Sequence, residues 1–236
     1  MRRLYRKAVH TLLQASKVLS RGGLYRFLED EFARIEAGRS VLSIGAGGGT
    51  GEQLTNAAQE QGFTVTELDV RPEMEPDIVA DICEWAEAEA YDVVVVSEVL
   101  EHLHSPRAAV RNMYESLRPG GRLVLTIPFL FPIHGKPHDY VRYTKHGLRS
   151  LLDAFDDVRV QERNSWSETL CVLLARTVRT PSRRLTLLSF LFVPAAFALY
   201  PLAWGVGKAA PMDFMTTAYH VTARKPSPPD APGSPS

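Results

Sequence analysis

The order of apolar and polar residues predicts strands that alternate with helices from Val41 onward. Short apolar runs such as SVLSIG and YDVVVVSEVL are separated by helical segments such as TGEQLTNAAQEQG, which Gly62 ends. An uninterrupted run such as YDVVVV is typical of a central parallel strand, because both faces of such a strand are covered. Further strands are expected at FTVTELDV, RLVLTIPF, DVRVQERN and TTAYHVTARK. The alternation favours an α/β fold with a doubly wound, mostly parallel sheet.

The N-terminal segment has helical periodicity instead. Apolar side chains between residues 4 and 19 recur at three- and four-residue spacing, with cations on the opposite face. Gly22-Gly23 is expected to end this helix, and a second helix is expected from about Leu24 to Glu36. Residues 1–28 contain seven Lys or Arg residues and no acidic residue. A basic amphipathic helix either lies on an anionic membrane or packs on its own domain, and the pattern leaves both open.

A second apolar segment, LTLLSFLFVPAAFALYPLAWGV at residues 185–206, contains no charged residue. It is long enough to cross a bilayer as a helix. It lies, however, between two strands expected in one sheet, so a single crossing would separate the last strand from its neighbours. Pro194 and Pro201 are expected to break the run into short helices. We therefore expect a helical hairpin on the inner membrane surface, and leave open a hydrophobic lid or a dimer surface that would make the chain a homo-oligomer.

Composition is that of an ordinary globular protein. The 236 residues are 45% hydrophobic and 23% charged, with a net charge of zero, so nucleic acid is not an expected partner. Cys83 and Cys171 lack metal-ligand or redox spacing, which favours a cytoplasmic protein and gives no metal site. The expected organisation is basic amphipathic helices at 1–40, a domain at 41–225 with a hydrophobic insertion at about 167–212, and a disordered Pro- and Ser-rich tail at 226–236.

The first strand runs into a glycine-rich segment, SIGAGGGTG. Residues without a Cβ atom let the backbone turn tightly into a helix and pass close to a ligand. The dinucleotide pattern G-x-G-x-x-G/A does not fit, because its last position falls on Thr50 or Glu52. The pattern that fits is G-x-G-x-G at Gly45, Gly47 and Gly49, and a structural turn without a ligand is the alternative.

This pattern resembles the first motif of the class I S-adenosyl-L-methionine (SAM) methyltransferases. The segments ADIC, YDVVVVSEVLEHLHSP and LRPGGRLVLTIP resemble later motifs in the same order, and YHVTARK resembles the family's antiparallel last strand. The resemblance implies a Rossmann-like methyltransferase fold with SAM as cofactor. It also implies a cofactor site formed by Ser43, Gly45, Ala46, Gly47, Gly49, Asp69, Asp81, Ile82, Ser97 and Glu98.

The family's pattern gives these residues separate tasks. Asp69 is expected to hold the ribose hydroxyls, a role that suits a carboxylate with two acceptor oxygens. Asp81 and Ile82 are expected at the adenine, and Ser97 and Glu98 near the methionine part. Ser43 departs from the family, which often has an acidic residue there, so weaker cofactor binding is one expectation.

The segment after RLVLTIPF contains the candidate chemistry. It reads FLFPIHGKPHDYVRYTKHGL and follows the carboxyl end of a strand, where open α/β sheets bind ligands. It resembles P-x-H-G-x-P-x-D-Y-x-R-Y/F-T in a bacterial subgroup of type 11 methyltransferase domains, whose members are often linked to surface glycans or lipid-linked metabolites.

His134 is the first candidate for general base, because an imidazole titrates near neutral pH. Asp139 is the second, as base or as the group that orients His134. Tyr140, Arg142 and Tyr143 are candidate substrate contacts, and either tyrosine could face the sulfonium through a cation–π contact. In the alternative, Asp139 and Arg142 pair and fix the loop, with Tyr143 packed beneath it.

Two functions remain open from the sequence. The first is a SAM-dependent methyltransferase that methylates an oxygen of a small molecule, a sugar or a lipid-linked precursor, in the cytoplasm or peripherally on the cytoplasmic face of the membrane. The second is a non-catalytic protein that keeps the SAM fold for binding or membrane recruitment.

Overall fold

The computed structural model describes residues 2–45, 47–179 and 182–227. Ala46, one of the predicted cofactor residues, and most of the predicted tail (228–236) lie outside this range. The strands are β1 (Ser40–Ile44), β2 (Thr64–Asp69), β3 (Ile78–Val79), β4 (Tyr91–Ser97), β5 (Leu117–Pro128), β6 (Asp156–Glu162) and β7 (Ala218–Arg224). The helices are α1 (Arg2–Phe32), α2 (Gly48–Gln61), α3 (Pro106–Ser116), α4 (Lys145–Leu151), α5 (Trp166–Arg176) and α6 (Arg183–Ala209).

The seven strands form one sheet in the order β3-β2-β1-β4-β5-β7-β6. All pairs from β3 to β5 are parallel, and β7 is antiparallel to both of its neighbours. The predicted doubly wound sheet and its antiparallel last strand are therefore confirmed.

Strand β4 lies at the centre and is covered on both faces, as its apolar run predicts. Val94 and Val96 face a cluster that includes Met113 of α3 and Leu148 of α4. The alternate residues Val93 and Val95 face another cluster that includes residues of α1 and α2. Helices consequently cover both faces of the sheet, and the carboxyl ends of β1, β2 and β4 meet at one edge.

The N-terminal segment is one helix, and the prediction that Gly22-Gly23 ends a first helix is wrong. Helix α1 runs without interruption from Arg2 to Phe32. A Cβ atom at Gly23 would lie 3.1 Å from the backbone oxygen of Arg163. The glycine therefore lets α1 pass close to the chain beyond β6, and the packing gained there outweighs its low helix propensity.

The second half of α1 belongs to the core of the domain. Leu24, Leu28 and Phe32 are almost completely buried in the cluster that covers β1 and β4. The first half instead runs along α5 and α6, where Leu19 packs with Val172 and Ala196.

The apolar run forms a single helix, so the expected hairpin and the expected breaks at Pro194 and Pro201 are wrong. Both prolines lie inside the 27-residue helix α6. Each proline removes one amide donor. The helix persists because its inner face is held along α5 and α1, with Ser189, Val193 and Ala196 buried.

His220 in β7 is a buried, uncharged histidine. Its ring stacks on Phe27 with centroids 4.3 Å apart, and its Nε2 accepts a hydrogen bond from Arg163 Nε at 3.0 Å. Burial, and then the charge of Arg163, lower the pKa of His220 from 6.5 to about 2. The unfolded chain therefore binds a proton below pH 6.5 that the folded chain does not bind, and stability falls as the pH falls below 6.5.

We expect His220→Gln to remove this acid sensitivity, because glutamine can still accept from Arg163 but does not titrate. Each pH unit below 6.5 costs about 1.4 kcal/mol for one proton, or about 2 kcal/mol at pH 5. Urea unfolding at pH 7.5 and 5.0 should show that the wild type loses about 2 kcal/mol more than the variant. His10→Gln, at an exposed position of α1, is the control. An equal loss in wild type and His220→Gln would mean that native His220 is protonated.

Candidate functional site

The glycine loop joins β1 to α2 at the carboxyl edge of the sheet. Gly45 and Gly47 have φ angles of 90° and 89°, which side-chain-bearing residues rarely adopt. The Gly45 amide donates to the Leu68 carbonyl at 2.8 Å, and Gly47 is the N-cap of α2. The loop therefore places the amino end of α2 over the sheet edge, where its free amides suit an anionic group such as the SAM carboxylate.

Asp69 ends β2 beside this loop and is buried. Both of its carboxylate oxygens accept hydrogen bonds from Arg71, the shortest at 2.9 Å. The Arg71 side chain is 53% exposed, so its guanidinium can move into solvent, whereas the Arg71 amide keeps its hydrogen bond to Oδ1. The hydrogen bond to Asp69 is the main cause that raises the pKa of Arg71.

Ser97 and Glu98 follow at the end of β4. Ser97 exchanges a hydrogen bond with Thr126 of β5, at 3.0 Å between hydroxyl oxygens. Glu98 has a φ angle of 57°, an uncommon conformation for a residue other than glycine that is often found at functional sites. Its Oε1 accepts from Arg163 at 2.6 Å and from Thr126 at 3.2 Å.

The charge state of Glu98 follows from these contacts. Burial opposes ionisation, but the charge and hydrogen bond of Arg163 outweigh burial and lower the pKa of Glu98 below its usual value. Glu98 is therefore a carboxylate, the form that can accept from the ammonium group of SAM.

The remaining predicted cofactor residues lie nearby. Ser43 is buried in β1 and lines, with Ser97, a small cavity beneath the glycine loop. Asp81 accepts from the Cys83 amide at 2.8 Å in the turn after β3, and Ile82 is buried in the core. A Cβ atom at Gly49 would lie 2.9 Å from the hydroxyl of Tyr25, which belongs to α1. Helix α1 therefore covers part of the loop, which the sequence did not indicate.

The segment after β5 forms an irregular loop, as its prolines and glycine predict. Asp139 is 2% exposed and forms a two-pronged ion pair with Arg142, and its Oδ2 accepts from the His134 amide at 2.8 Å. Burial alone would raise the pKa of Asp139, but the hydrogen bonds and charge of Arg142 outweigh burial, so the pKa is lower than its usual value. The loop therefore contains the Asp139–Arg142 ion pair that was expected in the alternative interpretation, in which the two residues fix the loop. Tyr143 packs against the core, and Tyr140 is half exposed with its hydroxyl 2.6 Å from His138 Nδ1.

The His134 ring faces Glu101, a residue that the sequence analysis did not single out. Nε2 of His134 lies 3.4 Å from Oε1 of Glu101, which is completely buried in the turn after β4. Nδ1 of His134 lies 3.3 Å from the Pro132 carbonyl and 3.5 Å from Asp139 Oδ2. Burial is the main cause that raises the pKa of Glu101. The only signal in the sequence is its position three residues after Glu98, at the end of a central strand.

Residues 5–169 match a family model described as a methyltransferase domain. The chain belongs to this methyltransferase family. The match covers more than half of the chain, which confirms the family predicted from the glycine pattern and, with it, SAM as the cofactor. The assignment of the glycine loop, Asp69 and Glu98 to this cofactor stays a prediction, which their donors and acceptors at one edge of the sheet support.

Curated relatives are similar over part of their length. The chain is 31% identical over 155 residues to a ubiquinone biosynthesis O-methyltransferase of Pseudomonas savastanoi, covering 56% of this chain and 63% of the relative. It is 30% identical over 121 residues to the enzyme of the same name from Pseudomonas entomophila, covering 44% and 49%. The chain thus spans about half to two thirds of the length of these relatives.

Solved structures share the fold. A phosphoethanolamine N-methyltransferase of Haemonchus contortus, in complex with phosphomonomethylethanolamine and S-adenosylhomocysteine, superposes with a TM-score of 0.57 at 19% identity, covering 86% of this chain and 52% of that one. A SAM-dependent methyltransferase of Archaeoglobus fulgidus gives 0.57 at 16% identity, covering 87% and 94%. At these identities the likeness establishes the Rossmann-like methyltransferase fold and nothing finer.

We expect Asp69→Asn to weaken the binding of S-adenosylhomocysteine, because the amide replaces one of the two acceptor oxygens with a donor. Calorimetry should show at least a tenfold increase in Kd, about 1.4 kcal/mol. The matched control is Glu73→Gln, which neutralises an exposed carboxylate close to Asp69 in the sequence. Unchanged affinity in Asp69→Asn, or an equal loss in the control, would remove Asp69 from the ribose site.

Proposed function

We propose that the chain is a SAM-dependent methyltransferase that methylates an oxygen of a small-molecule or lipid-linked acceptor. The observation that carries the proposal is that the predicted cofactor residues and the His134–Glu101 contact lie at the same edge of the sheet. The residues predicted to hold the cofactor end β1, β2 and β4, and the His134–Glu101 contact lies directly beyond β4. A cofactor and an acceptor placed at this edge would face each other, as an in-line displacement requires.

When bound, SAM supplies an electrophilic methyl group, which an acceptor oxygen takes while the sulfur leaves as a neutral thioether. The chain's own task is to position the acceptor and to activate its oxygen. We assign that activation to His134, whose ring is held between Glu101 and the carboxylate of Asp139. Asp139 acts as the orienting group, because Arg142 occupies both of its oxygens. The named activity of the curated relatives supports oxygen as the acceptor atom.

The non-catalytic alternative has one observation in its favour. Ser43 stands where the family often has an acidic residue, and it carries no charge to attract the SAM ammonium group. Glu98 can take over that attraction, because it is ionised and lies at the end of the adjacent strand β4. Turnover therefore separates the two functions, since both include SAM binding.

We expect the purified chain to transfer a labelled methyl group from SAM to a component of a lipid or metabolite extract from a strain that lacks the gene. The label should resist mild alkali, which distinguishes an ether from an ester. His134→Ala should lower turnover by about 10² to 10⁴ while S-adenosylhomocysteine affinity stays unchanged. His146→Ala, at an exposed position of α4, is the control. Cofactor binding without any methyl transfer to these extracts, or full turnover in His134→Ala, would contradict the assignment.

We further propose that α6 attaches the protein to the cytoplasmic face of the membrane by lying on its surface. Helix α6 is long and apolar enough to cross a bilayer by length and composition. It packs instead along α5 and α1, between strands β6 and β7 of the same sheet. These contacts support a helix that stays beside its domain, with only its outer face available to a membrane.

The outer face of α6 has the character of a membrane-binding surface. Large apolar side chains are exposed along the helix and just beyond it: Leu185, Leu187, Leu188, Phe190, Leu191, Leu199, Leu202, Trp204, Met212 and Phe214. Lys208 lies 4.0 Å from the centroid of the Trp204 ring, an aromatic–cation pair that suits the lipid headgroup region.

The basic end of α1 adjoins this face. Tyr5 contacts Phe190, with ring centroids 6.4 Å apart, and Arg3, Arg6 and Lys7 are exposed beside it. Cations next to an exposed apolar face support attachment to anionic lipids over an apolar dimer contact.

We expect the full chain to sediment with vesicles that contain phosphatidylglycerol, and more weakly with phosphatidylcholine alone. Replacing Leu187, Leu191 and Leu202 together by glutamine should abolish sedimentation, because at 54% to 67% exposure they are the most exposed large apolar side chains of α6. The control is Val70→Gln with Val79→Gln, two positions of 56% exposure near the opposite edge of the sheet. A dimer in analytical ultracentrifugation that the leucine substitutions dissociate, without vesicle binding, would make this face a subunit interface instead.

A further inference from the structure

Glu101 is a buried carboxylate without a hydrogen-bond donor. Its side chain is 0% exposed, and neither carboxylate oxygen has a hydrogen-bond partner within the described ranges. Burying an uncompensated carboxylate costs several kcal/mol, so a native protein normally supplies a counter-charge. Glu98, three residues earlier, shows the contrast, because Arg163 and Thr126 both donate to it.

Two histidine rings converge on this carboxylate. Nε2 of His134 lies 3.4 Å and Nε2 of His102 lies 3.6 Å from the same oxygen, Oε1 of Glu101. The ligand atoms of the three residues lie within 4.8 Å of one another. His102 comes from the turn after β4 and His134 from the loop after β5, so their convergence could not be seen as a spacing in the sequence.

The second nitrogen of each ring lies near acceptor oxygens. Nδ1 of His102 is in close contact with the His138 carbonyl, and Nδ1 of His134 faces the Pro132 carbonyl and Asp139 Oδ2. These oxygens are acceptors for a proton on each Nδ1, an arrangement that would leave the lone pair of each Nε2 directed toward Glu101. In that arrangement the Glu101 carboxylate and the two Nε2 atoms form a group of three possible metal ligands.

Such a group attracts a cation. In a tetrahedral zinc site, with ligands at about 2.0–2.1 Å, neighbouring ligand atoms lie about 3.3 Å apart, close to the two separations at Glu101. Metal-bound histidines commonly donate their other N–H to a carbonyl or carboxylate, and such an oxygen lies near Nδ1 of both rings at this site. The His134 and His102 side chains remain 18% and 27% exposed, which leaves an open side for a further ligand.

We propose that Glu101, His102 and His134 form a binding site for a divalent transition metal ion such as Zn²⁺, with an open position toward the acceptor. Its role in catalysis rests on the proposed methyltransferase function, whereas metal binding itself does not. At the open position the ion would bind the acceptor oxygen and lower the pKa of its hydroxyl, so that the proton leaves to water. With the ion bound, His134 activates the acceptor indirectly, as a metal ligand and not as the base that takes the proton, and Asp139 remains the group that orients it.

A second cluster of possible ligands is less suited to a metal. Asp81, Cys83 and His104 lie equally close together, but Asp81 accepts from the Cys83 amide and Cys83 Sγ is directed to the Ser105 carbonyl. His104 in turn lies 3.6 Å from Asp81 Oδ2, so all three members have partners, and the cluster lacks an unpaired buried charge. This second cluster therefore serves as the comparison site in the metal-binding test.

The test is Zn²⁺ binding to the chelator-treated full chain by calorimetry, with Co²⁺ absorption reporting the ligand geometry. We expect one ion per chain, and at least a tenfold loss of affinity in Glu101→Gln. Glutamine keeps the shape and removes a buried charge, so thermal unfolding should show a folded variant. His146→Ala, at an exposed histidine, should bind as the wild type does.

Two results would overturn the site. One is the absence of stoichiometric binding, and the other is binding that survives Glu101→Gln but is lost in His104→Ala. S-adenosylhomocysteine affinity measured on the same metal-free samples keeps the two proposals distinct. Cofactor binding with methyl transfer but without metal binding would leave the proposed function intact and remove the metal site.

Discussion

The candidate site depends on how the fold compensates the charges of two carboxylates that follow the central strand β4, the partly buried Glu98 and the completely buried Glu101. Glu98 is compensated from a distance in the sequence: Arg163, from the chain after β6, donates to it at 2.6 Å and also to His220 in β7. These hydrogen bonds connect β7 with the end of β4, the edge of the sheet where the cofactor is proposed to bind. Among the described residues, His102 and His134 are the cationic or titratable donors within 4 Å of the Glu101 carboxylate. The loop after β5 folds over it, with the Tyr140 amide donating to the Glu101 carbonyl at 2.8 Å.

One buried arginine connects the helical insertion with the loop after β5. Arg176 of α5 donates to Ser16 of α1 at 3.3 Å, and its guanidinium lies 4.8 Å from the centroid of Phe131. Phe131 in turn contacts the His134 ring, with centroids 5.7 Å apart. The elements that form the apolar surface therefore also support the loop after β5. A lipid-linked acceptor on that surface would be close to elements that contact the site.

The features that could be predicted from the sequence are those that depend on the local pattern of residues. The sheet follows from the alternation of strands and helices, and the glycine loop and the acid at the end of β2 follow from their positions on strands. The errors concerned elements whose ends depend on packing. Gly23 does not interrupt α1, because its lack of a side chain lets the helix pack closely against the backbone of Arg163. The two prolines do not interrupt α6, because packing against α5 and α1 holds the inner face of that helix. The partners of Glu98 and Glu101 could not be predicted, since they come from segments that only the fold brings together.

A crystal structure of the full chain grown with S-adenosylhomocysteine and Zn²⁺, with diffraction recorded on both sides of the zinc absorption edge, tests the account most directly. We predict the cofactor product over the glycine loop with its ribose on Asp69, and one anomalous peak bounded by the Glu101 carboxylate and the Nε2 atoms of His102 and His134. A product bound away from Asp69, or an anomalous map without a peak at Glu101, would contradict the claim that one edge of the sheet holds both the cofactor and a metal-bound acceptor.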